Sequence, residues 1–398
     1  MLALHVSDTH LGAIQYGLLS RAKDVYSAFG ETIEIALRER VDLYIHAGDF
    51  FDSPNPPPEA YIVAYKGLKK LKEKNIKVVV IAGQHDIPKR YSTSPLHMLQ
   101  DLNTVDALAI SEIVQRDIDA GQNKKIHLVL VPYPQRHSIS KLVKPLANNT
   151  KTVIVAHLLL KELGIPSEYA DISLSQFPNW ANYIALGDYH IKTDFRHGSC
   201  YVVYPGATEV FRVNECCEKY VALIDLDLDY PSPQYIKLSS TRPWIRITYR
   251  DFQKFQNELS AILSEIRKQS SKQPMVIVEM LGSNIEVLEK YLLSLRSNGE
   301  IEFFRIVSSD EKSKETTTQK PVTEDLEYLD LQKIMESIVK DHELATLLTN
   351  LAREPSKAIA TKIIDYLKER PEIAKKIEME FNTNSLTMFM KNKAKQLR

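Results

Sequence analysis

The sequence predicts an α/β layered core followed by a small α+β unit and a helical C-terminal region. Three observations carry this reading. Apolar runs of strand length alternate with stretches of helical periodicity over residues 1–240. Several of those runs stop abruptly at carboxylate, imidazole or amide side chains. From residue 241 the alternation restarts on a smaller scale, and from about residue 325 only helical periodicity is left.

Composition agrees. A chain of 398 residues exceeds one ordinary domain, and 44% hydrophobic with 26% charged residues is a globular balance. Lys+Arg and Asp+Glu are both 51, so any basic surface must be local. Cys200, Cys216 and Cys217 form no disulfide framework and no CxxC pair, which suits a reducing interior and argues against thiolate zinc. The apolar run at 2–6 lacks a charged n-region and a cleavage site, and no run reaches the length of a membrane span. The expectation is a cytoplasmic protein with no membrane partner.

The first strand is expected at 2–6, ending in SDTHLG (7–12), and a helix at 20–39 with Val25, Phe29, Ile33, Ile35 and Leu37 marking its apolar face. The second strand, 41–47, ends in GDFFD. A proline-rich loop then leads to a helix near 59–74 and a third strand at 77–82, ending in GQHD. After a short helix to residue 102, strands follow at 126–131 and 152–156, the latter ending at His157. A further run at 183–186 ends in GDYH. A strand at 201–203 precedes YPGATEVFR, and 221–228 alternates as an exposed or edge strand would. Residues 241–307 read as β-α-β-α-β, and 308–324 as a polar, flexible linker. Helices are expected at 326–348 and 357–370 and through the tail to 398.

Five strand ends carry possible metal ligands: Asp8 with His10, Asp49, Gln84 with His85, His157, and Asp188 with His190. The carboxyl ends of parallel strands gather along one edge, so ligands far apart in sequence meet. Carboxylate and imidazole donors without thiolates suit Mn, Fe or Zn in a two-metal centre. Asp8 and His10 fall on one side of an extended segment. Asp49 can offer one oxygen to each of two ions, with Gly48 keeping the backbone clear. His85 is placed to protonate a leaving oxygen or to stabilise charge on a phosphate. His5, His46, His97, His127, His137 and His197 lack this context and read as structural or surface residues.

SDTH, GDFFD, GQHD, AHLLL and LGDYH, in that order, resemble the calcineurin-like metallophosphoesterases. With YPGATEVFR and the small unit after it, residues 1–307 look like the SbcD-like double-strand-break repair nucleases that work with an SMC-like ATPase. The resemblance implies a β-sandwich core flanked by helices, 241–307 as a capping unit that orients DNA, and an Mn-dependent exo- and endonuclease. It implies that Asp8, His10, Asp49 and His190 hold one ion, and that Asp49, Gln84, His157 and Asp188 hold the second, with His85 as the catalytic histidine. It also implies a homodimer through the helices near 59–74 and after Pro95. DNA ends, single strands and hairpins would be substrates, and the C-terminal helices would bind the coiled-coil ATPase. Gln84 stands where the pattern has Asn, and Asp188 where it has His. Both fall on the second metal and shift its preference toward Mn²⁺ or Mg²⁺.

Two alternatives share these motifs. One is a degenerate phosphoesterase acting as a dimeric DNA clamp and ATPase anchor; the other is a phosphoesterase of nucleotides or phosphoproteins. Asp52 is expected behind the ligands or facing solvent. Lys89-Arg90 and Arg136 either meet phosphates or sit in solvated loops. The cationic tail from Met388 either docks in a groove or packs on the preceding helices.

Overall fold

A computed structural model describes residues 1–89, 93–119, 125–143, 150–215, 218–308, 341–353 and 357–371. The expected linker beyond Ser308, the tail, Arg90 and the Cys216-Cys217 pair lie outside these residues.

Two six-stranded sheets pack face to face. The first contains β1 (Leu2–Val6), β2 (Leu43–His46), β3 (Lys77–Ile81) and β4 (Ala107–Ala109) as parallel neighbours. The second contains β5 (Val114–Asp119), β6 (Lys125–Val131), β7 (Lys151–His157), β8 (Tyr183–Gly187), β9 (Thr193–His197) and β10 (Cys200–Tyr204), with β6, β7, β8 and β10 parallel. Two antiparallel strands, β11 (Tyr220–Asp225) and β12 (Gln234–Lys237), return to extend the first sheet beyond β1. Alternation along each central strand sends one row inward. Ala3, Ile45 and Val79 therefore meet Leu130, Val153 and Ala185 in the core between the sheets. The opposite row, including Leu4, Tyr44 and Val80, packs under α1 (Leu19–Arg38) and α2 (Pro58–Glu73). The short α3 (His97–Asp101) adds Leu99 to that layer.

One expectation fails here. Residues 220–225 form an interior strand with Val221–Ile224 buried, because a further short strand that the sequence does not announce, β12, takes the outer position beyond it.

The unit after residue 241 has its own core. Strands β13 (Trp244–Tyr249), β14 (Met275–Met280) and β15 (Phe303–Ser308) form a parallel sheet. Helices α4 (Phe252–Gln269) and α5 (Ile285–Ser297) pack Leu259, Leu263, Leu288 and Leu292 against it. Asp251 caps α4 by accepting from the Lys254 N–H.

A separate compact unit contains α6 (His342–Arg353) and α7 (Lys357–Glu369), with Leu344 and Ala345 packed on Ile363 and Tyr366. Among the described residues, no helix is long and apolar enough to cross a membrane.

Candidate metal centre

Three strand ends of the first sheet and two of the second open onto one place. Asp8 and His10 follow β1, Asp49 follows β2, and Gln84 and His85 follow β3; His157 ends β7, and Asp188 and His190 follow β8.

The segment after β1 is not extended as expected. Asp8 and His10 both have left-handed backbones, with φ of 52° and 44°. The peptide N–H groups of Asp8, His10 and Leu11 donate to the carbonyls of Gly48, Asp49 and Phe50, which turns the SDTHL and GDFF segments around each other. Both ligands still face the centre, but through two kinks rather than a pleat. Asp49 is also left-handed, at φ 50°. It fits only because a Cβ is missing at Gly48, where it would strike the His157 ring, and at Gly83, where it would strike Asp49 itself.

Four imidazoles share one design. Each presents Nδ1 to a protein oxygen: His10 to the Asp52 carboxylate at 3.3 Å, His85 to the Asp52 carbonyl at 2.7 Å, His157 to the Ala47 carbonyl at 2.8 Å, and His190 to the Glu215 carboxylate at 2.8 Å. A carbonyl can only accept, so His85 and His157 each keep a proton on Nδ1, and Nε2 is the nitrogen left to take a further proton or a metal ion. The His157 Nε2 is buried without a hydrogen-bond partner, 3.4 Å from Asp49 Oδ2 and 3.9 Å from Asp188 Oδ1. His10 Nε2 and His190 Nε2 face each other at 3.3 Å, and the Asp8 carboxylate lies 4.0 Å from the latter. Among the described residues three sets, Asp8–His10–His190, Asp8–Asp49–His157 and His10–Asp52–His85, bring their donor atoms within 4.8 Å of one another. Orphaned nitrogen, clustered carboxylates and oriented imidazoles fit divalent cations.

Asp49 Oδ1 accepts the His85 backbone N–H at 2.8 Å, while Oδ2 lies between His157 and His10, at 3.4 Å and 3.8 Å.

The electrostatics agree with a cation site. Burial alone would push His157 down, but the Asp49 and Asp188 carboxylates override it and hold its pKa well above the ordinary value. The same carboxylates that favour a proton there favour a metal cation in its place. Burial pushes Asp188 up to about 6, with His157 opposing and Asp49 adding to the rise.

The other expected residues are distributed as follows. Asp188 is partly buried, and its N–H donates to the Asp8 carboxylate. Gln84 is exposed at the rim. Asp52 sits behind the ligands, oriented toward His10 and His85. Arg136 is not available for phosphates: it pairs with Asp171 at 2.6 Å and stacks on Tyr133.

Two residues escaped the sequence reading. Glu215, buried, holds His190 and is itself kept down to about 2: burial opposes its charge, and His190 and Lys219 override burial. Asp86 accepts the N–H groups of Phe50, Phe51 and Gly83, which clips the GDFFD and GQHD turns together. Its place at the end of GQHD was a usable signal. Glu215 had none.

The sequence profile of the calcineurin-like phosphoesterases matches residues 1–212. The chain belongs to this family. It is similar to proteins described as DNA double-strand break repair protein Mre11. That of Sulfurisphaera tokodaii is 31% identical over 78% of this chain and 81% of its own length. That of Sulfolobus acidocaldarius is 30% identical over 78% and 83%, and that of Saccharolobus solfataricus 32% over 73% and 78%. Membership of this family implies divalent metal ions, and the clustered carboxylates and imidazoles described above are candidate groups to hold them.

Proposed function

We propose that this chain is the nuclease subunit of a double-strand-break repair and end-processing complex, a Mn²⁺-dependent DNA exo- and endonuclease with a two-metal centre. The convergence of the His10, His157 and His190 imidazoles on the Asp8 and Asp49 carboxylates, with the His85 ring beside His10, is the observation that carries this reading. The description of its relatives as DNA double-strand break repair proteins supports DNA as the substrate.

Asp8, His10, Asp49 and His190 would hold one ion, and Asp49, Gln84, His157 and Asp188 the other. Such ions, when bound, generate a nucleophilic hydroxide and withdraw charge from phosphoryl oxygens. The chain does the rest. Glu215 and the Ala47 carbonyl fix the His190 and His157 rings, and Asp86 fixes the two turns that carry Asp49 and His85. His85 keeps its Nδ1 proton on the Asp52 carbonyl, which leaves Nε2 to carry a second proton to the leaving 3′ or 5′ oxygen. Residues 241–307 would guide DNA toward this site, the C-terminal helices would bind a coiled-coil ATPase, and the complex would be a homodimer.

The test is cleavage of single-stranded and hairpin DNA with Mn²⁺. His85→Ala should lower the rate by about 10²-fold or more while elemental analysis finds its metal content unchanged. Wild-type protein that cleaves no DNA with its ATPase partner and any divalent ion would sink the proposal. The exposed position of Gln84 favours one second reading, a weakened second site. That reading predicts one ion per chain, restored to two by Gln84→Asn with Asp188→His.

A further inference from the structure

A second buried charged cluster lies where the 244–308 unit joins the phosphoesterase core. Three of its members just precede the three strands of the small sheet: Arg242 before β13, Lys272 before β14 and Glu302 before β15. The core supplies Arg21 and Asp24 from α1, and Glu209 from the loop after β10. Asp24 receives Arg242 Nε at 2.5 Å, Arg21 at 2.8 Å and Lys272 Nζ at 2.8 Å. Glu209 lies 3.2 Å from Arg21 and accepts the Arg242 N–H at 3.2 Å. Glu302 closes the set with Arg242 at 3.4 Å and the Ser20 hydroxyl at 2.5 Å. Three acids therefore meet three cations, and Arg21, Asp24 and Arg242 are all at least nine-tenths buried. Tyr16 stacks on Phe303 beside them, rings 4.5 Å apart.

A balanced buried network of this size is a weak device for stability, since apolar side chains of the same volume commonly do as well. What it imposes is one geometry. Arg21 also ties it to the loop beside the metal centre, a tie that Glu209 maintains when Asp24 is neutralised. Arg21 donates to the Val210 carbonyl at 2.8 Å, and the neighbouring Phe211 ring lies 4.7 Å from His10 and 5.7 Å from His190.

We infer that Asp24 is a positioning residue for DNA cleavage: it pins the amino edge of the small sheet to α1, and so fixes where that unit holds a long phosphodiester chain relative to the centre. The inference rests on the nuclease reading above. A small diester needs only the centre and is indifferent to the joint, whereas a polynucleotide spans both.

The experiment uses the full chain carrying Asp24→Asn, and the double variant Asp24→Asn with Lys272→Gln, which keeps the cluster neutral and so guards against misfolding. With Mn²⁺, kcat/KM is measured on single-stranded DNA and on bis(4-nitrophenyl) phosphate. Amide exchange is followed over 239–244 and over β14. The double variant should lose about tenfold or more on DNA, as expected for a misplaced substrate, and stay within about twofold on the small diester. Amides at 239–244 should exchange faster while β14 keeps its protection. Equal losses on both substrates, no loss on either, or unchanged exchange at the joint would each overturn the inference. Failure of the nuclease reading shows instead in the wild-type chain, which would cleave no DNA.

Discussion

The metal centre and the Asp24 joint are both buried and both charged, yet they are built on opposite plans. At the joint every acid meets a cation of the same chain: Asp24 with Arg21, Arg242 and Lys272, Glu209 with Arg21, and Glu302 with Arg242. At the centre Asp8, Asp49 and Asp188 face imidazoles, of which His157 and His190 turn Nδ1 outward to the Ala47 carbonyl and the Glu215 carboxylate. Their Nε2 atoms point inward at carboxylates, and that of His157 has no hydrogen-bond partner. A buried cluster that neutralises itself is a structural joint. One that turns both its negative charge and its ring nitrogens inward requires a cation from outside.

Three substitutions probe that contrast. Asp49→Ala removes the carboxylate lying between His10 and His157 and should abolish hydrolysis of DNA and of small diesters alike, by at least about 10³-fold. Near-normal turnover of either substrate would remove Asp49 from the centre. Asp24→Asn should act on stability instead. It removes the partner shared by the buried Arg21 and Arg242 and the partly exposed Lys272, and should cost about 3 kcal/mol by urea denaturation, with little effect on metal affinity. A midpoint equal to wild type would show that the joint is not a charge-coupled unit. Glu215→Gln is the intermediate case, a residue of joint-like chemistry placed behind a ligand. Losing the anionic acceptor of His190 should weaken Mn²⁺ binding about 10–100-fold by calorimetric titration. Unchanged affinity would mean that the ring is oriented by packing against Phe211 alone.

The same contrast explains what could be read from the sequence. The centre was legible because buried parallel strands read as short apolar runs, and their ligands sit at the ends of those runs. Asp8, Asp49, His157 and His190 stood out by position, and the structure brings their side chains together; the β-α-β-α-β unit with its boundaries near Met275 and Ile285 was equally plain. The joint was not legible. Asp24 and Arg242 lie more than two hundred positions apart, and each reads as an ordinary surface charge on a helix or in a loop. Short or half-exposed strands such as β4, β9 and β12 were missed for a related reason: a pattern of three to five residues is too brief for periodicity to register. The kinked backbones at Asp8 and His10 were invisible as well, because they are imposed by hydrogen bonds to the Gly48–Phe50 segment and not by local propensity.

The smallest expected effect separates the two clusters by pH. Burial works against the Asp24 charge, but hydrogen bonds from Arg242 and Lys272, with the nearby Arg21, override it and hold its carboxyl below the usual range. A carboxyl depressed in the fold contributes stability that is complete above its unfolded value of about 4 and is lost only as pH falls through the lower folded value. The destabilisation caused by Asp24→Asn should therefore stay level between about pH 8 and pH 5, within the error of a denaturation curve of about 0.5 kcal/mol. Mn²⁺ binding at the centre should slope over the same interval. Each imidazole that must shed a proton before it can ligate weakens binding by up to about tenfold per unit of acidification. Denaturation of both proteins and Mn²⁺ titration of the wild type, at three pH values, test the pair together. A slope in the Asp24→Asn difference would show that the joint exchanges protons in this range and is not the self-neutralised cluster its geometry describes. A level Mn²⁺ affinity would show that the imidazoles are not ligands.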